Sequence, residues 1–350
     1  MPEESGFDKW FANPQNKKER EAAMERSGIP LEIRARRCLR GLGYDAFRDF
    51  YEKDGISHEL DINSYKGFET IQLPYDSEAT FYLCLLGECK RSETSDFFAF
   101  EAEERVFRTD YPIRLHREAV PNLDVTFPSD TFKFPFIAER IVEVEASSFK
   151  SRKEGNYGDR MTFEACESLV DACQFFQSFH SEFYVDAGMR MYGFDEISDR
   201  YYSLEHEIDS IKAVDKIISE DPEKVFRLFN YFSGFLGVPI VILDDNRGLV
   251  KTVLSKDGRV SFEDELEVVL YRHLVRDVAR SREKGHGLDV VLPIVICKHA
   301  SLPKAVQLLE EGTRKVLEQF KRDLQDDPAR VIREMILTEA YLRKDTKGPT

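Results

Sequence analysis

The sequence predicts a mixed α/β fold, a single large unit whose strands lie toward both ends of the chain with a long helical stretch between them. Three observations carry this. Apolar runs of strand length occur near each end, "ATFYLCLLGECK" (79–90) first, "VPIVILDD" (238–245) and "LDVVLPIVICKH" (288–299) later. Between and after them lie segments whose apolar residues recur at helical spacing. Over 350 residues a hydrophobic fraction of 42% is enough to bury one sizeable core.

In chain order, residues 1–20 form a polar segment. "NKKEREAAMERSGIPLEIRARRCLRGLGY" (16–44) reads as helix, broken or restarted at Pro30, with Leu31, Ala35, Cys38 and Leu39 on one stripe and Gly41 and Gly43 ending it. "YDAFRDFYE" (44–52) and "SHELDINSY" (57–65) follow, hinged at Lys53-Asp54-Gly55 as a hairpin. The run at 79–90 is apolar at successive positions, as a central strand covered on both faces would be. Prolines 112, 121, 128 and 135 interrupt the next stretch, from which "FPFIAERIVEVEA" (134–146) emerges as a strand. The polar loop 147–160 leads into a helical block at 161–184 and further helices near 203–219 and in "DPEKVFRLFNYFSGFLG" (221–237), where Asp221 can cap and Pro222 suits the first turn. "GLVKTVLS" (248–255) is a strand joined to 238–245 by the turn Asp245-Asn246-Arg247-Gly248, and helices are expected at 302–324 and 327–343 before a short tail. The expected organisation is one α/β domain over 21–325 with a helical insertion at about 157–235, then a C-terminal helix and tail over 326–350.

Composition narrows the function classes. Asp plus Glu outnumber Lys plus Arg by 65 to 50, a formal charge of -15, so the molecule as a whole would not attract nucleic acid or anionic lipid, and any polyanion must meet a local basic surface. Six cysteines include no CxxC pair and sit mostly in apolar runs, and the first twenty residues have no apolar leader core; a reducing, cytoplasmic setting without membrane insertion is expected. Walker, HExxH, GxSxG and Rossmann signatures are missing from the sequence.

One constellation carries chemistry. On a strand, residues two apart share a face, so Glu88 and Lys90 would project together at the end of the most apolar run while Cys89 turns away. Asp61 lies on the preceding strand, with Leu60 and Ile62 expected on its opposite face and Glu59 on its own, as a neighbour of the site or an accessory carboxylate. If the strands are neighbours, Asp61 and Glu88 could share one hard divalent cation with a backbone carbonyl, and Lys90 could stabilise charge on a phosphate. For each there is a plainer reading: a surface ion pair for Glu88 and Lys90, a solvated hairpin face for Asp61, a dipole-favoured first-turn glutamate for Glu32.

Helix, strand, strand with Asp61, then strand with Glu88-Cys89-Lys90 resembles the core of the PD-(D/E)XK, or restriction-endonuclease-like, nucleases, over about residues 20–100. The resemblance implies a mixed central sheet flanked by helices and an Mg²⁺- (or Mn²⁺-) dependent endonuclease acting on DNA. It makes Asp61 and Glu88 metal ligands, aided by the Cys89 backbone carbonyl and by Glu32 on the preceding helix, and Lys90 the catalytic lysine. Leu60 stands where the family has proline, and 26 residues separate Asp61 from Glu88. Arg36, Arg37 and Arg40 form a helical basic face that could contact phosphates or merely solvate the helix. A non-catalytic binding or assembly module on the same fold is the rival expectation, and homo-oligomerisation is left open.

Overall fold

The computed structural model describes residues 13–53, 55–91, 95–101, 132–145, 164–173, 216, 219–227, 233–255, 257, 259–274 and 291–326. The elements are α1 (Pro14–Arg26), α2 (Ile29–Gly41), β1 (Asp45–Lys53), β2 (Ile56–Leu73), β3 (Ser77–Lys90), β4 (Ser95–Glu101), β5 (Ile137–Glu145), α3 (164–173), α4 (Pro222–Arg227), β6 (Ser233–Leu243), β7 (Leu249–Leu254), β8 (Val260–Glu265), β9 (Val268–Leu274), β10 (Val291–Lys298), a short turn of 3-10 helix (His299–Ser301) and α5 (Leu302–Asp326). All ten strands join one mixed sheet in the order β1-β2-β3-β6-β10-β9-β5-β4-β7-β8. The fold class is thus mixed α/β, with a large sheet and few helices among the described residues. None of these helices is long and apolar enough to cross a membrane.

Local chemistry explains the N-terminal elements. The Asn13 side chain accepts from the Gln15 amide at 2.9 Å, capping α1 with Pro14 in its first turn. Gly28, at φ +81°, takes the left-handed turn between the helices, so α2 restarts with Pro30 in its first turn. Leu31, Ala35 and Leu39 then recur every fourth residue and are fully buried against the sheet. β1, β2 and β3 form an antiparallel meander, and β6 runs parallel to β3 from Thr80↔Ser233 to Lys90↔Leu243. The β2–β3 turn holds Tyr75 (φ 60°) and Asp76 (φ 54°) in the left-handed region, the backbone of a type I′ hairpin.

Buried residues fall into two clusters, one on each face. Ile240, Ile242, Val295 and Cys297 lie with Leu31, Ala35, Leu39 and the α5 residues Leu302, Leu309 and Phe320; Val241, Leu243, Ile294 and Ile296 lie with α3 and with Phe97, Ala99, Ala138, Ile141 and Leu249. The second cluster thus joins strands from opposite halves of the sheet, which requires the sheet to curl. Leu243 and Leu249 are six steps apart, a reach of about 20 Å, whereas β6 and β7 are five positions apart in strand order, about 24 Å across if flat. β5 and β9, which join the two halves, are paired only at Ile137↔Leu270 and Ala138↔Tyr271.

Several expectations change. Of the helix expected over 221–237, Pro222–Arg227 is helical, but "SGFLG" opens β6 instead, where Gly234 and Phe235 pair with Phe81 and Tyr82. The Asp245–Gly248 turn links β6 to β7 without making them neighbours. β4, β8 and β9 were not foreseen; β8 is exposed at every position and so lacks the alternation that marks a strand. The helices expected near 203–219 and at 327–343 and the loop 147–160 lie outside the described residues, apart from isolated positions.

Candidate metal and ion-pair site at the ends of β2 and β3

A bulge in β2 builds the first half of the site. Phe47 pairs with Asn63 and Asp49 with Leu60, so the two residues Asp61 and Ile62 oppose Arg48 alone. The expected alternation breaks here. Leu60 packs into the α3-side cluster and Ile62 into the α2-side cluster, so they do not share a face opposite Asp61. Asp61 instead gathers with Glu32 and Glu59: one carboxylate oxygen from each lies within 4.8 Å of the others. Its second anchor is β3, since the Cys89 amide donates to Asp61 Oδ2 at 2.7 Å. Arg36 Nη1 donates to the Asp61 carbonyl oxygen at 2.6 Å and lies 3.6 Å from Glu32 Oε2, tying α2 to the bulge. Arg48 caps the exposed Glu59 in an ion pair.

Glu88 and Lys90 form the second half. As expected of alternating positions, Lys90 Nζ donates to Glu88 Oε2 at 2.9 Å while Cys89 packs into the cluster on the other face. Ser168 of α3 donates to Glu88 Oε1 at 3.1 Å. Glu88 is only 5% exposed, whereas the Lys90 side chain keeps 26% of its surface open. Glu88 lies outside the group of three carboxylates that approach one another within 4.8 Å.

The electrostatics follow from burial. Desolvation, then the neighbouring Asp61, raises the Glu32 carboxyl above its usual range. Desolvation does the same to Asp61, opposed by the Cys89 amide and Lys90, and to Glu88, opposed chiefly by Lys90. Lys90 is itself raised: burial pushes it down, but Glu88 and Asp61 more than reverse that. The carboxylates are therefore short of compensating positive charge, the condition in which a cation is welcome.

The basic face of α2 is largely occupied. Besides Arg36, Arg40 donates through Nε and Nη2 to the Ala46 carbonyl at 2.9 and 2.5 Å, closing the α2–β1 link. Arg34 and Arg91 approach the buried Asp244 at 3.6 and 3.2 Å, and Arg37 is exposed. Sequence reasoning missed Ser168, Tyr51 and Arg48, whose positions matter only through partners far along the chain. His58 is half-buried and stacks on Tyr51 at 5.3 Å.

Comparison with family models, curated proteins and solved structures finds no match to this chain.

Proposed function

We propose that the chain is an Mg²⁺- or Mn²⁺-dependent phosphodiesterase acting on DNA, built on a restriction-endonuclease-like core that carries a helical insertion. One observation carries this reading: the bulge in β2 turns Asp61 into a three-carboxylate group with Glu32 and Glu59, bonded through the Cys89 amide to the strand end that presents Glu88 and Lys90. The donor set is all oxygen and under-compensated, which suits a hard dication. Support for the fold comes from the order α2, β1, β2 with Asp61, β3 with Glu88-Cys89-Lys90, the arrangement the resemblance calls for.

Asp61, Glu32 and Glu59 would hold the ion; the resemblance adds Glu88 and the Cys89 carbonyl as ligands. A bound Mg²⁺ supplies Lewis-acid stabilisation of phosphate charge and a more acidic water. Lys90, whose side chain is partly exposed, sets its ammonium against Glu88, where it can meet a phosphate oxygen. Arg36 keeps the bulge against α2 and thereby orients Asp61. The test is cleavage of DNA by purified protein with Mn²⁺, alongside calorimetric titration of Mn²⁺. Wild type should bind and cut, Asp61→Asn should bind at least tenfold more weakly, and Lys90→Ala should bind but not cut. Equal cutting by Lys90→Ala would refute the assignment.

A second reading, a non-catalytic nuclease-fold module, is favoured by the engagement of Arg36 and Arg40 with backbone carbonyls, which withdraws them from phosphate contact. It predicts that neither Mn²⁺ binding nor cleavage depends on Asp61.

A further inference from the structure

We propose that Ser168 and Tyr51 are positioning residues that hold Glu88 turned toward Lys90, so that the pair acts as one unit; this rests on the phosphodiesterase reading above. Three elements far apart in sequence meet on one carboxylate. Ser168 comes from α3, Tyr51 from β1 and Glu88 from β3, with Tyr51 Oη 3.1 Å from Ser168 Oγ and Ser168 Oγ 3.1 Å from Glu88 Oε1.

Proton counting gives the chain a direction. A serine hydroxyl has one proton, and an ionised carboxylate only accepts, so Ser168 must donate to Glu88. Tyr51 must then donate to Ser168. The result is a chain of donors running from Tyr51 through Ser168 into Glu88 Oε1, while the Lys90 ammonium donates into Oε2 from the other side. Both carboxylate oxygens thus have defined partners, and each donor in such a chain strengthens the next.

The supports of the chain are themselves fixed. Tyr51 is buried at 3% exposure, with His58 stacked on its ring at an interplanar angle of 18°. Lys53, two residues along β1, donates to both oxygens of Asp171 at 2.7 Å, and Asp171 lies three residues beyond Ser168 on α3. This ion pair registers the helix against β1 so that Ser168 meets Glu88. Leu169 and Cys166 pack beside it into the core, which keeps α3 from sliding. The buried end of the chain is thus held by packing around Tyr51 and α3, and its far end is Lys90, whose side chain keeps 26% of its surface open and would face a phosphate.

The experiment compares Ser168→Ala, Ser168→Thr and Tyr51→Phe with wild type in three readouts: kcat and KM for DNA cleavage with Mn²⁺, Mn²⁺ affinity by calorimetry, and the ¹⁵N-edited NMR signal of the Lys90 ammonium. Orienting contacts around a catalytic group typically matter by tenfold to a hundredfold. Ser168→Ala should accordingly lower kcat by about tenfold to a hundredfold with KM and Mn²⁺ affinity unchanged. It should also broaden the Lys90 signal; Ser168→Thr, which keeps the hydroxyl, should restore both. Tyr51→Phe should move the same quantities in the same direction by less. Unchanged kcat in Ser168→Ala while wild type cleaves, or a loss that Ser168→Thr does not restore, overturns the proposal. If wild type itself does not cleave, the phosphodiesterase reading fails. The Lys90 signal then decides the positioning role alone, which stands if Ser168→Ala broadens it and Ser168→Thr restores it, and falls otherwise.

Discussion

Replacing Asp61 by asparagine should separate the stability of the metal-free protein from its response to metal. The asparagine side chain would keep the acceptor oxygen for the Cys89 amide and remove only a charge. Asp61 and Glu32 have carboxylate oxygens within 4.8 Å, so when both are ionised they repel by 332/(20 × 4.8), about 3.5 kcal/mol, at an effective dielectric constant of about 20. Arg36, 3.6 Å from Glu32, offsets part of this, and solvent reaching the half-buried Glu32 screens more, leaving a net relief of about 1 kcal/mol. In a chain of this size that corresponds to a metal-free melting temperature unchanged or raised by about 1–3 °C. Wild type at a hundredfold excess of Mn²⁺ over its dissociation constant should gain about 2.7 kcal/mol, and Asp61→Asn, binding at least tenfold more weakly, should gain about 1.4 kcal/mol or less. Scanning calorimetry in EDTA and in MnCl₂ measures both. A large metal-free destabilisation, or an Mn²⁺ response equal to wild type, would refute the picture of an under-compensated cation site.

Three further outcomes follow from the geometry. Burial raises Glu32, Asp61 and Glu88 in the folded state, so their stabilising contribution is present below the ordinary carboxylate range of about 4 and is lost as pH rises through their folded values; metal-free melting temperatures measured from pH 4 to 7 should show this loss, and Mn²⁺ should offset it. Thiol labelling followed by mass spectrometry should modify the half-buried Cys38 first, while Cys84, buried and pushed up to about 12, and the buried Cys89, Cys166, Cys173 and Cys297 stay protected until unfolding. Gly312→Ala, ordinarily favourable in a helix, should destabilise by about 1–3 kcal/mol in chemical denaturation, because its Cβ would stand 2.1 Å from Phe132 Cδ1 in a rigid ring.

The local elements around the candidate site were legible because short-range rules govern them. The stripe Leu31-Ala35-Leu39 and the restart at Gly28-Pro30 specify α2, and the alternation around Cys89 puts Glu88 and Lys90 on one face. The β2 bulge was not legible. It depends on how β2 registers against β1, and by offsetting one residue it put Leu60 and Ile62 on opposite faces and gave Asp61 to Glu32 and Glu59. Likewise "SGFLG" has no strand alternation of its own, and becomes β6 because β3 supplies its hydrogen-bond partners.

The mixed α/β class, the order of helix and strands through residue 90, and the pairing of Glu88 with Lys90 all follow from local chemistry: periods of two and 3.6, and caps and turns within a few residues. Long-range packing sets which carboxylates meet, which arginines are already engaged by carbonyls, and that Ser168, 80 residues from Glu88, reaches it with Tyr51 behind. Those contacts depend on strand register and on the curl that brings α3 over the end of β3, and no local pattern encodes a distance between segments so far apart along the chain.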